Sequence, residues 1–172
     1  MSQILIAYFS KAGENYVSGA MKELPVGNTA HVAAMLQERA GGDLWEIRPR
    51  EPYPDGYRDC VARSKRELQE KARPELADTL PDLSAYNAVI LGYPIWCGTM
   101  PMPVWTFLEA GDFSGKAILP FCTHEGSGLA RSVEDIRALC PRSQIGEALA
   151  IHGSHIPESG DALDSWLRRA GL

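Results

Sequence analysis

The chain has 172 residues, of which 45% are hydrophobic and 23% charged, enough for one soluble domain with a full hydrophobic core. Its net charge of −5 argues against a nucleic-acid binder, which would normally show a basic stripe, and suits docking to a basic partner protein. Cys60, Cys97, Cys122 and Cys140 are scattered and form no C-x-x-C, which predicts reduced thiols rather than a disulfide framework.

The start of the chain lacks a basic n-region, and no apolar run reaches the roughly 18 residues needed to span a membrane. The expectation is a cytoplasmic protein with one domain over residues 1–172 and no membrane contact. Residues 4–9 form an uncharged, aromatic-rich run that reads as a strand buried on both faces. Ser10, Lys11 and Gly13 follow, and residues 11–26 read as a long loop of mixed composition, a length that is usually functional. Gly27, Asn28 and Thr29 then open a helical pattern through Val32, Ala33, Leu36 and Ala40, which Gly41 and Gly42 end. A buried strand that feeds small hydroxyl residues and a helix N-terminus suits an anion. The spacing matches neither G-x-x-x-x-G-K-[ST] nor G-x-G-x-x-G, so a phosphate monoester fits better than a nucleoside triphosphate or a dinucleotide. An ordinary strand-to-helix turn with caps explains the same residues equally well.

Residues 43–48 alternate and read as a second, more exposed strand, followed by an extended stretch at Pro49, Pro52 and Pro54. Residues 55–73 form a polar helix with Arg66/Glu70 and Glu67/Lys71 pairs. Residues 88–92 read as a central strand, residues 93–100 as a distinctive loop, and Pro101 or Pro103 as the start of a helix carrying Val104, Phe107 and Leu108. A fourth strand at 117–122, a loop at 123–128 and a helix through Leu139 follow. A fifth strand at 145–151 and a closing helix at 161–172, with Leu163, Trp166 and Leu167 inward, complete the chain.

This alternation predicts a parallel sheet covered on both faces, with ligands beyond the carboxyl ends of its strands. The loops after strands one, three and four therefore meet at one edge. Trp96, beside Cys97 and Gly98, suits stacking on a heteroaromatic ring, or else packs under its loop as core. Gly126, Ser127 and Gly128 offer amides, and His124 either bonds a ring carbonyl or is merely solvated. Cys97 and Cys122 read as small hydrophobes. His152 and His155 lack a third ligand, so no metal is assigned. Without a G-x-S-x-G elbow, a serine hydrolase has little support.

Four motifs in order, Ala7-Tyr8-Phe9-Ser10, Gly27-Asn28-Thr29, Gly92-Tyr93-Pro94-Ile95-Trp96 and Thr123-His124-Glu125-Gly126-Ser127-Gly128, resemble the flavodoxin-like FMN-binding family over essentially the whole chain. The branch it resembles carries a long insertion between the first serine and Gly-Asn-Thr. The resemblance implies a three-layer α/β fold with a five-stranded parallel sheet of order 2-1-3-4-5, and FMN at the switch point between strands one and three. It further implies that Ser10, Asn28 and Thr29 hold the phosphate, with Lys11, Ala12 and Gly13 nearby. Pro94, Ile95, Trp96, Cys97 and Gly98 would line one side of the ring, and residues 123–128, including Thr123, His124, Gly126, Ser127 and Gly128, the other. Compact flavodoxins have an unbroken Ser-x-Thr-Gly-Asn-Thr. Here Ala12 replaces that threonine and the insertion has no assigned role. No catalytic residue is expected, because the flavin does the chemistry. The implied role is an electron carrier between redox partner proteins. The alternative is an NAD(P)H-dependent reductase of quinones or another small-molecule acceptor, and a third reading is a non-redox module that binds a phosphate ligand.

Overall fold

The computed structural model describes residues 3–172. Its main sheet contains β1 (Ile4–Tyr8), β4 (Asp43–Glu46), β5 (Ala88–Pro94), β6 (Ala117–His124), β7 (Gln144–Ile145) and β8 (Leu149–His152). The order is β4-β1-β5-β6-β7, with β8 also pairing β6, and every pairing is parallel. This is the expected 2-1-3-4-5 order with helices on both faces, but the fifth strand is broken into β7 and β8. The ladder continues as far as the Gly146 amide, which donates to the Ile118 carbonyl at 2.9 Å. The Glu147 carbonyl, one residue on, accepts the Trp166 indole N–H at 2.7 Å. Alternate residues of β6 face this strand, and the next in turn is Pro120, which has no N–H to continue the ladder.

Two cores form because successive strand residues face opposite sides. Leu5, Ala7, Val89 and Leu91 pack towards α3 (Met102–Ala110) and α4 (Ser132–Leu139), around Val104, Phe107 and Ile136. Ile4, Ile6, Ile90 and Phe121 pack towards α1 (Asn28–Ala40) and α5 (Gly160–Ala170), around Val32, Leu36, Leu163 and Trp166. The polar α2 (Tyr57–Glu70) lies outside the first core. Strands β5 and β6 run two residues further than the apolar runs suggest, because Tyr93 and Thr123 are buried. The Tyr93 hydroxyl donates to Ser132 at 2.9 Å and so meets the polar requirement of a buried phenol.

The segment expected to be an irregular loop is a β-hairpin. Its strands β2 (Gly13–Val17) and β3 (Ala20–Leu24) pair antiparallel and form a separate two-stranded sheet. Two residues connect them, Ser18 at φ +50° and Gly19 at φ +86°. Positive φ at both central positions gives the twist that a tight hairpin needs.

Gly92 is required for packing. A Cβ there would lie 2.1 Å from Cζ of the fully buried Phe121. Gly92→Ala should therefore cost roughly 1–3 kcal/mol through overpacking, read as a lower denaturant midpoint. An unchanged midpoint would show that the two strands can separate freely here.

Candidate cofactor site

A cleft of about 150 Å³ lies beyond the carboxyl ends of β1, β5 and β6. At one end it meets the N-terminus of α1, where the Asn28 and Thr29 amides have no intrahelical acceptor. The Ser10 hydroxyl accepts the Ala30 amide at 3.1 Å, which leaves its own proton free to donate outward. Gly27 makes this closeness possible, because a Cβ there would stand 2.2 Å from the Ser10 hydroxyl oxygen and 2.7 Å from the Lys11 carbonyl. The result is a cluster of donors with the helix dipole behind it, as an anion requires.

Four residues expected at or near the phosphate behave differently. The Thr29 side chain is buried and its hydroxyl shares a 2.8 Å hydrogen bond with the Thr123 hydroxyl, tying the first and third loops together. The Lys11 ammonium lines the cleft but donates to the carbonyls of Ala12, Glu14 and Asp55, each at 3.2 Å, so it braces the hairpin root. Ala12 and Gly13 do not line the cleft, and Gly13 opens β2.

Pro94, Ile95 and Trp96 form one wall. Trp96 is half-buried, with its ring edge-on to Phe9 at 5.1 Å and to Tyr53 at 5.0 Å. It is thus both part of the core margin and part of the cleft lining. Tyr53 is held in turn by Arg63, whose guanidinium lies 4.0 Å over its ring, and by a hydrogen bond to Glu67. Residues 96–99 close a tight turn in which the Trp96 amide donates to the Thr99 carbonyl and the Thr99 amide to the Trp96 carbonyl. Cys97 takes a left-handed φ of +54° and Gly98 one of +81°. Neither Cys97 nor Gly98 lines this cleft.

Thr123, His124 and Glu125 form the opposite wall, and Gly126, Ser127 and Gly128 lie outside it. The Gly126 and Gly128 amides donate to His124 Nδ1 at 2.9 and 3.2 Å rather than to the cleft. An Nδ1 that accepts two amides is unprotonated, so the ring hydrogen is on Nε2. Burial and the neighbouring His152 hold the imidazole pKa below its ordinary 6.5. Glu125 Oε2 accepts the Ser18 amide at 3.1 Å, and Oε1 is buried without a hydrogen-bond partner.

The hairpin adds Asn15 and Tyr16 to the lining, and α2 adds Tyr57. Sequence reasoning missed these three because it left residues 14–26 unstructured. The signal was the Ser18-Gly19 pair between two five-residue runs. Among the described residues, no group of three or more His, Cys, Asp or Glu side chains could hold a metal ion, and no helix is long and apolar enough to cross a membrane.

A doubly covered parallel sheet, with an anion cradle and an aromatic wall at its carboxyl edge, defines a protein of the flavodoxin-like class. The sequence model of the flavodoxin family matches residues 3–170, and the chain belongs to that family. A candidate flavoprotein from Bacteroides eggerthii is similar over 100% of this chain and 99% of its own, with 28% identity and a TM-score of 0.81. One from Bacteroides uniformis matches at 27% identity and a TM-score of 0.77, covering 97% of this chain and 98% of its own. A Lactobacillus acidophilus flavoprotein, solved in complex with FMN, shares the fold at 18% identity and a TM-score of 0.67, covering 92% and 98%. No curated protein matches the chain.

The lowered His124 pKa has a stability consequence of definite sign. Between the folded value and 6.5 the unfolded chain binds the proton more readily, so this contribution is complete above 6.5 and is lost as pH falls through the folded value. His124→Gln should flatten the fall in denaturation midpoint between about pH 7 and pH 5. An identical slope in both proteins would remove His124 as its source.

Proposed function

We propose that the protein is an FMN-dependent redox protein that carries electrons between partner proteins. Its cofactor is FMN, in keeping with its family. The observation that carries this reading is the convergence of three loops on one cleft, with unpaired amides at one end and Trp96 at the wall. The unpartnered Glu125 Oε1 fits the same group, because a buried acceptor needs a donor and the ribityl chain of FMN has several hydroxyls.

Bound FMN supplies reversible electron transfer, and the polypeptide supplies binding, orientation and access. Ser10 and the Asn28 and Thr29 amides hold the phosphate without a free cation. Pro94, Ile95 and Trp96 keep water from one side of the ring, and this apolar surface disfavours added negative charge and so lowers the potential. His124, with its proton on Nε2, presents a donor to the cleft. No side chain acts as nucleophile, general acid or general base.

The carrier role is supported by exposed apolar residues on and beside the hairpin, Tyr16 at 41%, Met21 at 51% and Val26 at 58%, next to the cleft. A second role, NAD(P)H-dependent reduction of a small acceptor, is favoured by a chamber that adjoins the cleft.

The first test is the visible spectrum of the purified protein after incubation with FMN; a colourless protein would return the reading to a non-redox phosphate-binding module. Ser10→Ala should weaken FMN binding about 10- to 100-fold, from the loss of a hydrogen bond to a charged group. Its affinity for riboflavin, which has no phosphate, should not change, and an equal loss for both flavins would place the phosphate elsewhere. Anaerobic mixing with NAD(P)H separates the two roles: rapid bleaching supports the reductase, and none supports the carrier.

A further inference from the structure

Beside the cleft, on the far side of the Trp96 loop, is a second chamber of about 270 Å³. One wall comes from α2, where Tyr57, Cys60, Val61, Ser64 and Lys65 recur at the three- and four-residue spacing of a single helical stripe. The facing wall is Ile95, Trp96 and Cys97, and the chamber also meets Lys11 and Asn15 at the hairpin root. The two spaces share Lys11, Asn15, Tyr57, Ile95 and Trp96, so they are contiguous.

The chemistry of these walls is selective. Trp96, Ile95, Val61 and the Tyr57 ring present flat and aliphatic surface. The Cys60 thiol, pushed up to about 11 by burial, is neutral at physiological pH. In a chain with a net charge of −5, the lining holds, among the described residues, two lysines and no carboxylate. Lys11 is occupied by backbone carbonyls, whereas Lys65 is exposed and has no ion-pair partner among the described residues. A space of this size suits a molecule of one or two fused rings, somewhat below the usual range of small-molecule sites.

We propose that this chamber binds a planar, largely apolar aromatic anion, with its ring between α2 and the residue 95–97 wall and its charge towards Lys65. The proposal rests on FMN occupying the neighbouring cleft, and it gives the small acceptor of the second role a chemical class.

Naphthalene-2-sulfonate serves as the probe, titrated calorimetrically into the FMN-loaded protein. One-to-one binding is expected. Lys65→Glu, at an exposed position, should weaken it about three- to tenfold through charge reversal, and Val61→Trp, which fills the chamber, should abolish it. Neither residue lines the cleft, so FMN affinity should stay constant in both variants. The proposal is overturned if the FMN-loaded protein does not bind the probe, or if binding is indifferent to Lys65→Glu. It is equally overturned if the probe binds only the FMN-free protein and FMN displaces it, which would assign the chamber to the cofactor's own ring. Failure to bind FMN at all would instead overturn the flavin reading.

Discussion

Strands β1, β5 and β6 lie side by side and run in one direction, which fixes where the site can be. In a parallel pair each crossover must return the chain to the opposite end of the sheet, so the residues that follow all three strands gather at one edge. Register adds the finer placement. Tyr8 is level with Gly92 and Pro94 with Thr123, so the loops leave the sheet within a residue or two of a common line. The absence of a side chain at Gly92 lets Phe121 fill the space beneath that line. Once the sheet is closed in this way, each loop needs only the right local chemistry.

That chemistry avoids a fixed positive charge at the anion end. Among the described residues, the one lysine or arginine lining the cleft, Lys11, is bound to three carbonyls, and the donors are backbone amides and the Ser10 hydroxyl. Dipoles positioned by a helix are already oriented and lose no side-chain entropy when a ligand arrives. The Thr29–Thr123 bond does a different job, joining the strand-one and strand-four sides of the cleft through a buried pair of hydroxyls. Each wall is anchored inward, Trp96 on Phe9 and Tyr53, and His124 on two glycine amides.

Much of the architecture was legible in the sequence because apolar runs and helical spacing report burial directly. The main strands, the five helices and the sheet order follow from those patterns. The split of the fifth strand had one local signal, Pro120 within the fourth apolar run, but only the strand order and register show that its missing N–H faces the fifth strand. At the site, motif position identified Ser10, Asn28, Pro94, Ile95, Trp96, Thr123 and His124 as cleft residues. It did not show which donors were already engaged: Lys11 and the glycine amides near His124 have chain partners that no local pattern reveals. The hairpin had a readable turn, but its alternation is weak. Its strands are half-buried at best, with β3 exposed over four of five residues.

The hairpin is anchored very unevenly. Its root is bound by the Lys11 ammonium, by Asn15 to two carbonyls and by Glu14 to the Tyr57 amide. Its tip is held to the body, among the described residues, by one hydrogen bond, from Ser18 to Glu125. The tip is therefore tied by about 1.5–3 kcal/mol, the worth of a hydrogen bond to a charged group, while the root is tied several times over. Tyr16 lines the cleft from this weakly tied arm, whereas Ser10, Asn28 and Thr29 line it from the ends of the sheet and of α1. One side of the cleft is thus built on the sheet and the other on an arm outside it, so a substitution in the arm can reshape the opening without touching either core.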